Sequence, residues 1–184
     1  SRVVELLADP DKFRQMLTRP LPVPYSSAAE RGTEFHAALE KAFALESELD
    51  LDDWDSDQRA LAENFENSRF ASRQPVFVEQ SLEFELGGTV VVCKLDAVFQ
   101  NDSEFEIVDW KSGSSPASQE DVAKRAVQLA LYRIGFARWQ QLGIEKVKAS
   151  FFFASDGVEI SPEVPSETEL AARLAELRTA LRPL

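Results

Sequence analysis

One cysteine, one methionine and one histidine are all that these 184 residues hold of those types. Cys93 has no internal partner for a disulfide, and a single thiol cannot build a four-thiolate zinc or iron–sulfur site. No iron–sulfur cluster is expected, and a reducing, cytoplasmic setting is. Glycine and proline are scarce, at seven and nine, which excludes collagen-like and low-complexity classes. An apolar content of 44% excludes disorder. Apolar runs such as VFV, VVVC and FFFA stop far short of the roughly 20 residues that span a bilayer. No basic segment followed by an apolar one opens the chain, so neither a membrane nor export is implied. What remains suits one ordinary domain over residues 1–184, burying roughly 70% of its unfolded surface. The opening at Ser1, without Met, is read as the start of a segment cut from something longer.

Positive charge is also in short supply: 20 Lys and Arg face 32 Asp and Glu, a net −12. Taken alone, that balance disfavours a polyanionic partner. Much of it is local, however. Residues 46–66 carry nine acids and one Arg, a local −8, whereas 111–150 carry seven bases and three acids, a local +4. The acidic stretch reads as a solvated surface loop, and charge neither excludes nor supports nucleic acid.

The periodicity predicts helices first. A short apolar-periodic start is broken at Asp9-Pro10 and resumes over 11–17. The prolines of RPLPVP (19–24) exclude helix and central strand there. Ser26 or Ser27 offers an N-cap for a helix to about Leu45, with Phe35, Leu39, Ala42 and Phe43 on one stripe. A second helix is expected over 56–67. From Pro75 the period becomes two, giving strands at 76–86, 89–100 and 104–111, joined by Gly87-Gly88 and by Asn101-Asp102-Ser103. Ser118 caps a long helix with Gly143 just past its end, too apolar all round for one narrow stripe and so largely buried. A strand at 146–154, a turn at Asp156-Gly157 and a short strand at 158–160 follow. Ser166 and Glu169 form a capping box for a last helix to about Leu181. The order α-α-β-β-β-α-β-β-α predicts an α/β (α+β) domain: a central mixed sheet with an antiparallel three-strand meander, flanked by helices.

Chemistry concentrates in KLDAVFQNDSEFEIVDWKSG, residues 94–113. On a strand, Phe105, Ile107, Asp109 and Lys111 share one face and Trp110 takes the other. If the connecting loop is the four residues 101–104, Gln100 faces Phe105 and Asp96 lies opposite Asp109 on the same face. Two carboxylates so placed repel, and a divalent cation would remove the conflict; the alternative is a solvated surface with an ordinary Asp–Lys pair. His36, a lone histidine, reads either as a packed or solvated residue or as a ligand. Gly32 stands one helical turn before it and permits a close approach. Gln128 and Tyr132 sit four apart on the long helix and share a face. Glu79, before the Gly-Gly turn, reads as a solvent-facing strand residue or as a ligand of a second metal.

GTEFH (32–36), LDAVF (95–99), IVDWKSG (107–113) and QLALY (128–132), in this order, resemble the RecB-type nuclease branch of the PD-(D/E)XK superfamily. LADPDKF, RPLPVP and RGTEFH upstream resemble the C-terminal nuclease domain of actinobacterial UvrD-like helicase–nucleases that process double-strand breaks. The resemblance covers about residues 1–150. It departs from the wider pattern at Cys93, where Gly is usual, and at Ala97, where Arg is common; the four-Cys cluster of some branches is absent.

The resemblance implies that His36, Asp96 and Asp109, with the main-chain carbonyl of Trp110, hold a metal, Mg²⁺ or Mn²⁺. It implies that Lys111 is catalytic and that Gln128 and Tyr132 support it. The expected activity is that of a Mg/Mn-dependent deoxyribonuclease, an exonuclease acting on single-stranded DNA. The implied partners are a helicase motor in the same chain and a second helicase–nuclease subunit. Two rivals are a non-catalytic DNA-guiding or subunit-docking domain that keeps the fold, and a free-standing relative such as a resolvase or a CRISPR-adaptation enzyme.

Overall fold

Alternating apolar residues form a meander of three antiparallel strands: β1 (Phe77–Leu86), β2 (Thr89–Asn101) and β3 (Glu104–Lys111). Gly87 and Gly88 both take left-handed φ (56° and 73°), as a two-residue hairpin turn requires. The β2–β3 turn is shorter than the predicted four residues. Asn101 pairs with Glu104, leaving only Asp102 and Ser103 as the turn, and Asp102 supplies the positive φ of 53°. The predicted facing of Gln100 and Phe105 is nevertheless present, because a two-residue change in loop length leaves the pairing sum intact.

The computed structural model describes residues 2–18 and 27–180. The RPLPVP stretch, Ser26 and Leu181 lie outside the described residues. Among the described residues four helices precede the meander, two more than the predicted order counts: α1 (Arg2–Ala8), α2 (Pro10–Thr18), α3 (Ser27–Leu45) and α4 (Ser56–Glu66). Pro10 separates the first two as a first-turn proline, and the Asp9 carboxylate accepts from Lys12 N–H at 3.0 Å. Asp55 caps α4 in a capping box with Gln58, so the acidic loop ends by starting a helix. After β3 the chain crosses through α5 (Gln119–Trp139), capped by Ser118, to β4 (Val147–Phe153), which pairs parallel with β3. The short β5 (Val158–Ile160) adds an antiparallel edge, giving the order β1-β2-β3-β4-β5. In α6 (Glu167–Ala180) the predicted Ser166–Glu169 box forms, Ser166 N–H donating to Glu169 and Glu169 N–H to Ser166.

Two helix-side expectations shift. Gly143 does not terminate α5: its φ is −65°, and Gln141 takes the left-handed turn at 56° instead. Lys146 belongs to a single 3₁₀ turn (Ile144–Lys146) ahead of β4 rather than to the strand.

The sheet has a core on each face. On one, α3 and α4 pack Phe35, Leu39, Phe43, Leu61 and Phe65 against Phe99, Val108, Trp110 and Phe152. On the other, α5 covers Leu95, Val98, Ile107, Phe151 and Phe153 with Leu129, Tyr132 and Phe136. The outer side of α5 is itself buried, its Val127, Leu131 and Ile134 meeting Leu7 of α1 and Leu170 and Leu174 of α6. That double burial explains an apolar pattern too broad for one stripe.

Strict alternation fails at one level of the sheet. In β2, Cys93 and Leu95 face α5, yet Ala97 and Phe99 face α3 and α4. In β1, Leu82 and Phe77 both face α5 although their positions differ by an odd number, and Val78 packs on the α3 side. Both strands therefore change face at the same rung, Glu79 opposite Asp96, where the ladder records no pair although the register continues unchanged on either side. Glu79 carries a φ of 54° there.

Candidate metal centre

The site lies where this break in the pleat meets the middle of α3. Gly32 and His36 stand one turn apart on α3, and a Cβ on Gly32 would sit 2.5 Å from the Ser112 hydroxyl oxygen. The absence of that Cβ is what lets the loop after β3 lie against the helix, bringing Lys111 and His36 to one cleft. The cleft encloses about 590 Å³, with His36, Glu79, Asp96 and Lys111 in its wall and the cations Lys94 and Arg125 lining it.

Asp96, at the face change, turns toward α3. Its Oδ2 lies 3.6 Å from His36 Nδ1 and accepts the Trp110 N–H at 2.8 Å. Asp109 is buried, 2% exposed, and turns toward α5. Its Oδ1 accepts from Gln128 Nε2 at 2.8 Å; its Oδ2 lies 2.6 Å from Lys111 Nζ but has no well-aligned hydrogen bond. Continuing the β2–β3 register by one residue does set Asp96 opposite Asp109, as the alternation predicts. Where the alternation expects a shared face, the two carboxylates take different partners, Asp96 beside His36 of α3 and Asp109 with Gln128 of α5, while Asp109 stays near enough to act on Asp96.

Gln128 is the hub of the α5 side. Its amide nitrogen donates to Asp109 and, at 2.7 Å, to the Tyr132 hydroxyl, and its carbonyl accepts from Lys111 Nζ at 3.2 Å. With both N–H groups and the carbonyl engaged, the amide orientation is determined by its partners. Burial, and then the nearby Asp109 carboxylate, hold the Tyr132 phenol well above its ordinary value, so it stays neutral.

Among the described residues, the group whose ligand atoms all lie within 4.8 Å of one another is His36, Glu79 and Asp96. Glu79 is not a free strand-surface residue: its side chain is 17% exposed and pairs with the Lys94 ammonium. The sequence left it between a solvent-facing strand residue and a ligand of a second metal; the shift of apolar parity from Phe77 to Leu82, Phe84 and Leu86 is the signal that it turns inward. Hard carboxylate oxygens with one imidazole suit Mg²⁺ or Mn²⁺. The buried Asp109 Oδ2 has the Lys111 ammonium 2.6 Å away.

Electrostatics agree. Burial, and next the Asp109 carboxylate, push Asp96 up to about 8. Desolvation lowers His36 below its ordinary 6.5, against opposing pulls from Asp109 and the Trp110 main chain. Near neutral pH the fold thus holds a protonated Asp96 and a neutral imidazole, and a cation must displace the proton from Asp96. Apparent Mn²⁺ affinity is therefore expected to rise up to about tenfold per pH unit between 6.5 and 8 and then level off. Calorimetry in buffers of different ionisation enthalpy should detect the released proton, and a flat profile would contradict this account. The sign for stability is opposite. Because the folded value of Asp96 lies above the unfolded one, its contribution is lost as pH rises toward 8, while that of His36 is lost only below about 6.5. Metal-free protein should melt lower at pH 8 than at 6.5, and Asp96→Asn should flatten the slope.

No helix of the described residues is long and apolar enough to cross a membrane. Comparison with known proteins adds the following. The family model of the PD-(D/E)XK nuclease superfamily matches residues 12–184. A solved structure described as the crystal structure of SSO0001 is 16% identical, with a TM-score of 0.46, over 98% of this chain and 71% of that one. No curated protein matches the sequence.

Proposed function

The chain belongs to the PD-(D/E)XK nuclease superfamily, and we propose that it is a Mg²⁺- or Mn²⁺-dependent exonuclease domain that hydrolyses phosphodiester bonds in single-stranded DNA. The observation that carries this reading is the convergence of His36, Asp96 and Lys111 on one cleft, with Asp109 and Gln128 gripping Lys111 from behind. His36, Asp96, Asp109 and the Trp110 carbonyl would hold the cation. When bound, it supplies Lewis acidity toward the scissile phosphate and lowers the pKa of a coordinated water.

The chain's own groups do the rest. Lys111 presents an ammonium to the attacking water and to the charge that grows on the phosphate oxygens. Asp109 and Gln128 hold that ammonium from two sides, so its position costs little reorganisation at the moment of reaction. Tyr132, kept as a neutral phenol, accepts from Gln128 and fixes the amide without competing for the proton. Trp110 N–H, donating to Asp96 Oδ2, orients that carboxylate from the adjacent strand.

The wider setting is a helicase motor in the same chain, with a second helicase–nuclease subunit, in cytoplasmic double-strand-break repair. The resemblance of LADPDKF, RPLPVP and RGTEFH supports it, as does the acidic balance, which suits a domain whose DNA is held mainly by its motor. The test is cleavage of end-labelled single-stranded DNA with Mg²⁺ or Mn²⁺, by the domain alone and joined to its motor. Metal-dependent shortening from an end, lost in Asp109→Ala, is the expected result. Well-folded protein that cleaves nothing in either form with either metal would overturn the reading.

A further inference from the structure

Lys94, Lys111 and Arg125 line the cleft, and the two lysines are paired, Lys94 with Glu79 and Lys111 with Asp109. Arg125, on α5 one turn before Gln128, has no carboxylate within salt-bridge distance among the described residues. The acids preceding it on the helix are engaged elsewhere. Glu120 holds Lys124, and Asp121 accepts from the Ser118 hydroxyl. The Arg125 guanidinium instead lies 6.0 Å from the centre of the Phe153 ring, and Phe153 pairs with Lys111 in the β3–β4 ladder. An exposed guanidinium is thus held beside Lys111 with its donors open, a geometry suited to phosphate oxygens.

The adjoining wall is Ser112-Gly113-Ser114, the segment that follows Lys111. The turn before β5 ties it down: Ser114 Oγ meets Ser155 Oγ at 3.1 Å, and Ser115 N–H donates to Asp156. Gly113 itself is open. A Cβ there would touch nothing within 4 Å, and its φ is not left-handed. Neither crowding nor backbone strain inside the protein calls for a glycine at 113, whereas close approach of a ligand does. The charges of the cleft are also lopsided. Its acids Glu40, Glu79 and Asp96 come from α3, β1 and β2, and none comes from the wall of Gly113 and Arg125.

We propose that Arg125 and the open main chain at Gly113 form a second phosphate subsite, holding the DNA phosphate next to the scissile one. The proposal rests on the nuclease reading above and deepens it. The substrate is then a strand with at least two consecutive phosphates, one facing Lys111 and the next facing Arg125. Helix α5 sets their spacing, because Gln128 grips Lys111 and Arg125 stands one turn away on the same face. The carboxylates of the opposite wall repel the flanking phosphate and direct the strand over Gly113. Such a contact reads backbone charge and carries no sequence preference.

The test uses this chain, joined to its motor if it cleaves nothing alone, with Mn²⁺ and end-labelled single-stranded oligonucleotides. Arg125→Ala is expected to raise the half-saturating DNA concentration in single-turnover cleavage about tenfold, with a much smaller change in the saturated rate. The slope of log affinity against log salt should become shallower by about 0.7, the share of one single-strand phosphate contact. Arg125→Lys should keep the slope, and calorimetric Mn²⁺ affinity should stay the same in both variants. Gly113→Ala should raise the half-saturating concentration several-fold without lowering the melting temperature, because its methyl enters open space. Single methylphosphonate substitutions locate the contact. Neutralising the phosphate beside the scissile one should weaken binding to the unaltered protein and make no difference to Arg125→Ala. An unaltered salt slope in Arg125→Ala, or a penalty at that position that survives loss of the arginine, would overturn the proposal and leave the nuclease reading intact. Unchanged DNA affinity in Gly113→Ala would overturn it as well. If the unaltered protein cleaves no DNA in either form, the nuclease reading falls together with this one.

Discussion

Lys111→Ala is expected to slow single-turnover cleavage of single-stranded DNA on the order of 10³-fold at saturating Mn²⁺, with Mn²⁺ still bound. The ammonium is held in contact with both Asp109 (2.6 Å) and Gln128 (3.2 Å), and it also lies 5.6 Å from the centroid of the Phe151 ring. Its removal deletes a preorganised positive charge that matters most as charge develops on the phosphate. Lys111→Arg should not restore the rate, because a planar guanidinium cannot occupy the space of a compact ammonium between those two partners. Metal binding should survive, since deleting the cation frees the buried Asp109 Oδ2 instead of removing a ligand. Single-turnover rates with calorimetric Mn²⁺ affinity separate the two effects. A Lys111→Ala rate within about tenfold of the unaltered protein would remove Lys111 from the chemistry.

Trp110→Ala should cost about 3–5 kcal/mol of folding stability, enough to lower the melting temperature by roughly 10 °C. The indole is buried among five phenylalanines: Phe43, Phe65, Phe70, Phe99 and Phe152, with ring centroids 5.3–6.4 Å away. They come from α3, α4, the segment after α4, β2 and β4, so no single element can close the gap that Ala would leave. Function should suffer beyond the stability loss. The main chain of Trp110 joins Asp109 to Lys111, and its N–H orients Asp96, so a shift of β3 into the cavity moves all three. Urea unfolding measures the first effect, and Mn²⁺ affinity at a temperature where the variant is fully folded measures the second. A stability loss below about 1 kcal/mol would mean that the surrounding rings repack, and the coupling argument would fall with it.

Much of the architecture was readable along the chain because its signals are local. The change of period at Pro75, the two hairpin turns, the Ser118 cap and the Ser166–Glu169 box each depend on a few neighbouring residues, and each appears where expected. The misjudged points depend on geometry that short-range pattern does not encode. Gly143 looked like a helix stop, but Gln141 makes the left-handed turn two residues earlier. The β2–β3 loop is tighter than its polar residues implied, because Asn101 and Glu104 still pair.

By itself, the amino-acid sequence determined the helices, the meander, its register and the motif residues, because alternation and capping are properties of adjacent side chains and their own backbone. It placed His36, Asp96, Asp109, Lys111, Gln128 and Tyr132 on the correct elements. Only the tertiary structure decided how they face each other. Gly32 matters because Ser112, eighty residues away, lies against it, and Gln128 matters because α5 crosses the back of β3. Glu79 enters the cleft because two strands change face at one rung, a cooperative feature of the paired sheet that neither strand specifies alone.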